Sequence, residues 1–365
     1  MKLGIITFHR AINYGAALQS FALQKALNEM GYDAEVLDYA CEYLENHYKK
    51  FYNSSGTIKG AISAIIYYPI RSARIRKFRE FREQYIKTSK KKNISRSELS
   101  KLSEEYDYII TGSDQVWNPE QTECDTTYFL DFVDPMKKVS YAASLGNDNP
   151  TEMQQRILKT YIQGYEKVSV REKESADYLE RLLGIKVHLV VDPVFLLEAN
   201  DWRRLIANKP LVNKPYIFVY CLHEKTCYYY AEHLADKTGK KIVSIPDSIK
   251  TKCSGKKDFK AGVLDFLNYI YYADYVITDS FHATAFSIIF EKRFNIIMKQ
   301  NRKDLNGRLS SIASRYNLDD VVIWNRQSED KLGKEVSFAD AKILKEKDIM
   351  ESKKFIKSIG EKNEN

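Results

Sequence analysis

A recurring alternation constrains this chain more than anything else in it. A short apolar run ends in a loop of small and polar residues, and a segment of helical periodicity follows. Leu3 to Phe8 is the first such run. After the polar loop His9 to Gly15, residues Leu18, Phe21, Ala22, Lys25 and Ala26 keep a mostly helical spacing, and Gly31 stands where a C′ glycine stops a helix. AEVLDY then resumes as a strand, so the first forty residues read as one βαβ unit, the building block of a parallel sheet. YDYIITGSD, KKVSYAASLG, KVSVRE and VHLVVDPVFLL continue the series as buried strands, with helical stretches at 151–163 and 172–183. Past a connector around KPLVNKP, a second series runs through YIFVYCL, KKIVSIP, DYVITDS and FNIIM.

At 365 residues the chain exceeds what one core usually reaches. The expectation is therefore an α/β protein of two Rossmann-like domains with a central cleft. Residues 1–200 would form the first domain, residues 201–336 the second, and residues 337–365 a charged surface helix that opens on Ser337 as a possible N-cap. The segment 58–92 stands apart as an insertion: IKGAISAIIYYPI is apolar and aromatic, and RSARIRKFREFREQYIK is basic. It reads either as an amphipathic helical hairpin covering the first sheet or as a peripheral contact with an anionic membrane, with Tyr67 and Tyr68 at the headgroup level.

The net charge of +8 favours anionic partners such as phosphorylated small molecules, nucleic acid or a membrane surface. No recognised nucleic-acid motif accompanies it, so nucleic acid is set aside. No run of about 18 apolar residues suggests a membrane span, and the N-terminus lacks the pattern of a signal peptide, so a cytoplasmic location is expected. The five cysteines, Cys41, Cys124, Cys221, Cys227 and Cys253, include no C-x2-C pair, which argues against both a disulfide framework and a zinc site. The histidines show no joint ligand spacing, and no metal is expected.

Candidate site residues gather where strands end. In FHRAINYGAALQSFAL, free N–H groups at the helix start favour an anion, Gly15 permits close backbone approach, and Asn13, Tyr14 and Gln19 offer polar contacts. The absence of G-x-G-x-x-G removes support for dinucleotide binding. TGSDQVWNP packs Gly112, Ser113, Asp114, Gln115, Trp117 and Asn118 into one loop that suits either sugar hydroxyls beneath an indole or a structural turn capped by Asp114. SYAASLG repeats the design with Ser144 and Gly146. Arg171, just past KVSV, either grips a phosphate or carboxylate or bridges to Glu174 or Asp192. His282 opens an apolar helix directly after a strand ending Thr278-Asp279-Ser280. It can exchange protons beside an anion, or it is a structural histidine whose neighbours merely cap the helix.

Taken in order, NYGAALQSFAL, GSDQVWNP, SYAASLG, SVREKES, VVDPVFLL and TDSFHATAFSIIF resemble the polysaccharide pyruvyl transferase family over residues 1 to 320. The resemblance implies a GT-B-like pairing of the two domains. It also implies transfer of enolpyruvyl from phosphoenolpyruvate to sugar hydroxyls, forming a pyruvate ketal in cell-surface polysaccharide synthesis. No cofactor is implied; phosphoenolpyruvate is a co-substrate, and the acceptor is a lipid-linked or nucleotide-linked saccharide. His282 matches the family's catalytic histidine, Arg171 an arginine that grips the donor, and Arg308 a further basic position. The acceptor side would be lined by Asn13, Gly15, Asp114, Gln115 and Trp117. Where members often carry Arg-Leu-His, this chain has Ser280-Phe281-His282, which leaves one donor clamp to Lys299, Arg302 or Arg308, or else points to a different donor or acceptor. A nucleotide-sugar glycosyltransferase and a non-catalytic binding module are the alternatives.

Overall fold

The computed structural model describes residues 1–50, 58–147, 150–213, 215–222, 225–246, 251–299 and 306–361, with backbone alone for 47–50 and 58–67. The first half runs β1 (Lys2–Ile6), α1 (Tyr14–Glu29), β2 (Asp33–Val36), α2 (Glu42–Lys50), α3 (Ile58–Tyr85), α4 (Arg96–Ser103), β3 (Tyr108–Thr111), α5 (Pro119–Thr122), β4 (Lys138–Ser140), α6 (Glu152–Ile162), β5 (Val168–Val170), α7 (Lys173–Leu183) and β6 (Val187–Leu189). The second runs α8 (Ala199–Leu205), β7 (Tyr216–Tyr220), α9 (Thr226–Thr238), β8 (Lys241–Ser244), β9 (Lys256–Lys257), α10 (Val263–Tyr272), β10 (Tyr275–Thr278), α11 (Phe281–Ile289), β11 (Phe294–Ile297), α12 (Gly307–Arg315), β12 (Val322–Ile323) and α13 (Ala339–Lys357).

The chain divides into two compact units, one of Met1–Pro69, Arg79–Leu196 and Lys347–Asn365, the other of Ile70–Phe78 and Leu197–Glu346. The main division falls after Leu196, and the C-terminal segment from Lys347 joins the first unit. Within that segment Ser352, Phe355 and Ile356 are buried, and the Ser352 hydroxyl accepts from the Val191 N–H at 2.9 Å.

In the first unit the sheet order is β2-β1-β3-β4, all parallel, and isolated bridges from Val139 to Lys167 and from Ala143 to Val170 carry it on to the parallel pair β5–β6. In the second the order is β12-β11-β10-β7-β8-β9, again parallel throughout. Parallel strands are covered on both faces, which is why β7 and β10 are buried at every residue and read as unbroken apolar runs. Burying each such Val, Ile or Phe stabilises the fold by about 1.5–3 kcal/mol.

The helix α1 is buried nearly all round, and its alanines let it lie close to the sheet. Asn13 caps it by accepting the Ala16 N–H at 3.2 Å. The insertion departs from the hairpin expected of it: α3 is a single helix with Pro69 inside. Proline has a helix-compatible φ and loses one hydrogen bond, so by itself it interrupts the ladder without reversing the chain, and no Gly or Asn turn stands beside it. Phe81 of α3 packs edge-on against Phe21 of α1 at 6.0 Å between ring centroids.

The two strand orders share one property that decides where ligands go. In each sheet the chain starts near the middle, winds one way and then the other. The direction reverses between β1 and β3 in the first unit, and between β7 and β10 in the second. Just beyond the carboxyl ends of such neighbouring strands, the outgoing loops diverge and leave an opening in which open α/β sheets bind ligands.

Candidate active site

At the first switch point β1 delivers Thr7, His9 and Arg10, and β3 delivers Gly112, Ser113 and Asp114. The two strand ends touch closely. A Cβ on Gly112 would lie 3.0 Å from the Thr7 Cβ, and the Thr7 hydroxyl donates to the Ser113 carbonyl at 3.0 Å. Gln19, buried on α1, donates to the Thr7 hydroxyl at 2.8 Å and so fixes the helix to the strand end. Tyr14 and Gly15 are buried in the first turn of α1.

Asp114 sits at φ +80°, a region that costs a non-glycine residue about 1–2 kcal/mol. Its neighbours hold it there. The Arg171 guanidinium lies 3.6 Å from the Asp114 carboxylate, donates to Glu172 at 3.0 Å and to the Ser113 hydroxyl at 3.2 Å, and donates to Asp192 as well. Its side chain is 1% exposed. Burial alone would ease the proton off, but Glu172, Asp192 and Asp114 together raise the Arg171 pKa above its ordinary value. One cation thus faces three carboxylates, with a surplus of negative charge around it. Two nitrogens of the Arg171 fork, the one expected to grip a donor, are thus bonded to Asp192, Glu172 and Ser113, and the side chain stiffens the loop bearing Asp114.

Trp117, expected on the acceptor side, is packed inward. The indole is 1% exposed, stacks on Phe129 at 6.1 Å, meets Tyr165 edge-on at 5.8 Å and donates to the Tyr128 carbonyl at 3.3 Å. It packs the loop from within and presents no face to a sugar. Gln115 remains half-buried and accepts from the Asn118 amide at 3.1 Å. Gly146 takes φ +79°, and a Cβ there would lie 2.4 Å from the Gln115 Oε1, so the third loop needs glycine. Ser144 is buried, bonds Asp114 and Trp117 through its backbone, and accepts from the Gly146 N–H at 3.2 Å.

A second cluster at this switch point was passed over in the sequence. His9 bonds the Asp38 carboxylate at 2.9 Å, Arg10 donates to the same oxygen at 2.9 Å and to Glu45 at 2.6 Å, and Thr7, Tyr39, Cys41 and Tyr128 line the small pocket beside them. Burial would raise the Asp38 pKa, but the bonds from His9 and Arg10 prevail and hold it far below the ordinary range. Burial pushes the Cys41 thiol up to about 11, so it stays protonated. The available signal was positional: His9 follows the first strand and Asp38 the second.

At the second switch point the Thr278 hydroxyl donates to the Tyr220 carbonyl at 2.6 Å, clamping the ends of β7 and β10 together. Asp279 accepts the Leu222 N–H at 2.6 Å. Ser280 caps α11 by accepting the Ala283 N–H at 3.4 Å. His282 is the second residue of that helix and is buried, with its ring 5.3 Å from Phe281. Lys299 lies two residues beyond β11, where Asn306 brackets its backbone with two bonds of 2.9 Å, and Arg308 is the half-buried second residue of α12. Arg302 lies outside the described residues.

Cysteine usage is also corrected. Cys221, just past β7, and Cys227, in the first turn of α9, are disulfide-bonded, and both lie with Asp279 in a buried group whose potential ligand atoms fall within 4.8 Å of one another. A C-x5-C spacing gave no warning, because the pairing depends on the end of β7 lying beside the start of α9. Cys41, Cys124 and Cys253 are free thiols.

The sequence model of one family, polysaccharide pyruvyl transferase, matches residues 13–299, a span that begins after β1 and takes in β3 and the whole of the β7–β10 switch point. The chain belongs to the polysaccharide pyruvyl transferase family. No curated protein matches it in sequence. Solved structures share its fold at low identity. A putative UDP-N-acetylglucosamine 2-epimerase from Listeria monocytogenes has a TM-score of 0.53 at 12% identity, covering 99% of this chain and 96% of that one. MnaA of S. aureus, solved with UDP, gives 0.53 at 13% over 98% and 95% of the two chains. The UDP-GlcNAc 2-epimerase of Neisseria meningitidis gives 0.53 at 12% over 99% and 100%. The α/β class with parallel sheets expected of this transferase-family chain therefore holds. Among the described residues no helix is long and apolar enough to cross a membrane.

Proposed function

We propose that this chain transfers the enolpyruvyl group of phosphoenolpyruvate to hydroxyls of a lipid-linked or nucleotide-linked saccharide, leaving a pyruvate ketal and free phosphate, as a step of cell-surface polysaccharide synthesis. The observation that carries the reading is His282 in the first turn of α11, behind the Ser280 cap and beside the β7–β10 switch point. An imidazole is the side chain best suited to pass a proton near neutral pH, and the helix start favours an anion. His282 would protonate the C3 methylene of the donor. Positive charge develops at C2, one sugar hydroxyl adds there and returns its proton to the imidazole, and a second hydroxyl displaces phosphate, which leaves with that hydroxyl's proton.

The donor's charge needs cations, and Arg171 is already spent on its own carboxylates. Lys299 and Arg308 supply the alternative, since both follow strands adjoining β10. Asn13, Asp114 and Gln115 would meet the acceptor, whose neutral hydroxyls suit an acidic rim better than a phosphate does. Contact with an anionic membrane, where the acceptor is lipid-linked, would fall to α3, whose Arg76 and Arg79 are exposed.

His282→Ala should abolish acceptor-dependent phosphate release while leaving the melting temperature near that of the parent. Turnover at the parental rate would remove the role assigned to His282. A second reading, transfer from a nucleotide sugar, is favoured by the fold shared with UDP-handling proteins. Thermal shift separates the two: phosphoenolpyruvate should stabilise the protein by the first reading and UDP by the second, with about 2.7 kcal/mol at a hundredfold excess over Kd.

A further inference from the structure

The group at the second switch point that the transfer reaction does not use is Cys221, Cys227 and Asp279. We infer that, once its disulfide is reduced, this triad is a binding site for a thiophilic divalent cation such as Zn2+. Three observations converge on it. The three potential ligand atoms lie within 4.8 Å of one another, and a tetrahedral zinc holds two sulfurs about 3.8 Å apart and a sulfur and an oxygen about 3.6 Å apart, given Zn–S near 2.3 Å and Zn–O near 2.1 Å. The two cysteine Cα atoms lie 6.5 Å apart. All three residues are buried, on secondary structure that fixes them: Cys221 at the end of β7, Asp279 at the end of β10, and Cys227 in the first turn of the thirteen-residue α9. Finally, the Thr278–Tyr220 bond locks the two strand ends together, so the ligand set is assembled before the ion arrives.

The chemistry balances simply. A small thiol reductant gives two electrons and two protons to the Cys221–Cys227 bond and becomes a disulfide itself. The cation then replaces the two thiol protons, binds Asp279 through one oxygen, and keeps a fourth position for water. Two thiolates with one carboxylate suit zinc; calcium and magnesium prefer oxygen alone.

The test is metal content of the full-length protein, with no reliance on activity. The protein is reduced with a thiol, exposed to excess Zn2+, freed of unbound ion by gel filtration and assayed by elemental analysis. The result expected is one zinc per chain in the reduced protein and none after reoxidation. Cys221→Ser with Cys227→Ser should remove it, Asp279→Asn should weaken it at least tenfold, and Cys41→Ser with Cys124→Ser and Cys253→Ser should keep it. Should the double serine variant fail to fold, the oxidised parent serves as the control without a site. Equal zinc in the reduced and oxidised protein, or none in either, overturns the inference. Neither outcome bears on whether His282 supports phosphate release.

Discussion

Arg171→Met removes one buried charge and keeps a long unbranched side chain in its place. The guanidinium is 1% exposed and lies 3.0 Å from Glu172 and 3.6 Å from Asp114, with Asp192 bonded to it as well. At an effective dielectric of about 20, a pair 3.0 Å apart attracts by roughly 5 kcal/mol, before the cost of having desolvated both members. Removing one member leaves that desolvation cost standing, and measured losses for broken buried pairs run to about 3–5 kcal/mol. The first unit holds roughly 200 residues, for which each kcal/mol lowers Tm by about 2–4 °C, so the variant should melt some ~6–20 °C lower.

The assay is a far-UV circular dichroism melt of Arg171→Met, Asp192→Asn and the double variant. Losing Asp192 as well should cost less than the sum of the two single changes, because the second substitution removes a charge that the first left stranded. A melting temperature within about 2 °C of the parent, combined with lost stabilisation by phosphoenolpyruvate, would refute this reasoning and restore Arg171 as a donor clamp.

Asp38→Asn should destabilise the protein at neutral pH by about 1–3 kcal/mol in urea titrations. Because the native Asp38 pKa is depressed from 3.8, its contribution is present above that value and lost as the pH falls through the native one, so the gap to the parent should close in acid; a pH-independent gap counts against the ion pairing. Trp117→Ala should cost about 3–5 kcal/mol through the cavity it leaves, measured by the same titration, whereas lost saccharide affinity at unchanged stability would return the indole to the binding surface.

The strands were legible because a parallel strand covered on both faces writes its burial into the sequence as an unbroken apolar run. Tyr216–Tyr220 and Tyr275–Thr278 are such runs, and the loops after them were rightly singled out as strand ends. The two-residue strands Lys256–Lys257 and Val322–Ile323 could not be seen, since they are held by one neighbour each and carry no periodicity of their own. Side-chain partnership was hidden for a related reason. Asp192 lies 21 positions from Arg171, and only the folding of β5 beside β6 brings them together. Sequence narrowed Arg171 to two roles, ligand grip or internal bridge, and its three-dimensional neighbours show the bridge to Asp192. The packing of Trp117 was hidden likewise, because a residue in a polar loop can turn its ring inward when Phe129 and Tyr165 offer a surface.

The charge around each switch point then separates the two halves of the proposed reaction. Near the first, Asp38, Glu45, Asp114, Glu172 and Asp192 outnumber Arg10, Arg82 and Arg171, and Arg10 and Arg171 are bonded to those carboxylates. A doubly or triply charged donor entering there would meet acids whose cations are already engaged. Hydroxyl groups carry no such penalty, and carboxylate and amide oxygens accept from them directly. Near the second, Asp279 is joined by His282, and Lys299 and Arg308 follow from the adjoining strand. Under the proposed reaction the donor's phosphate and carboxylate would suit the second switch point, and the saccharide's hydroxyls the first, a preference that follows from where the carboxylates lie.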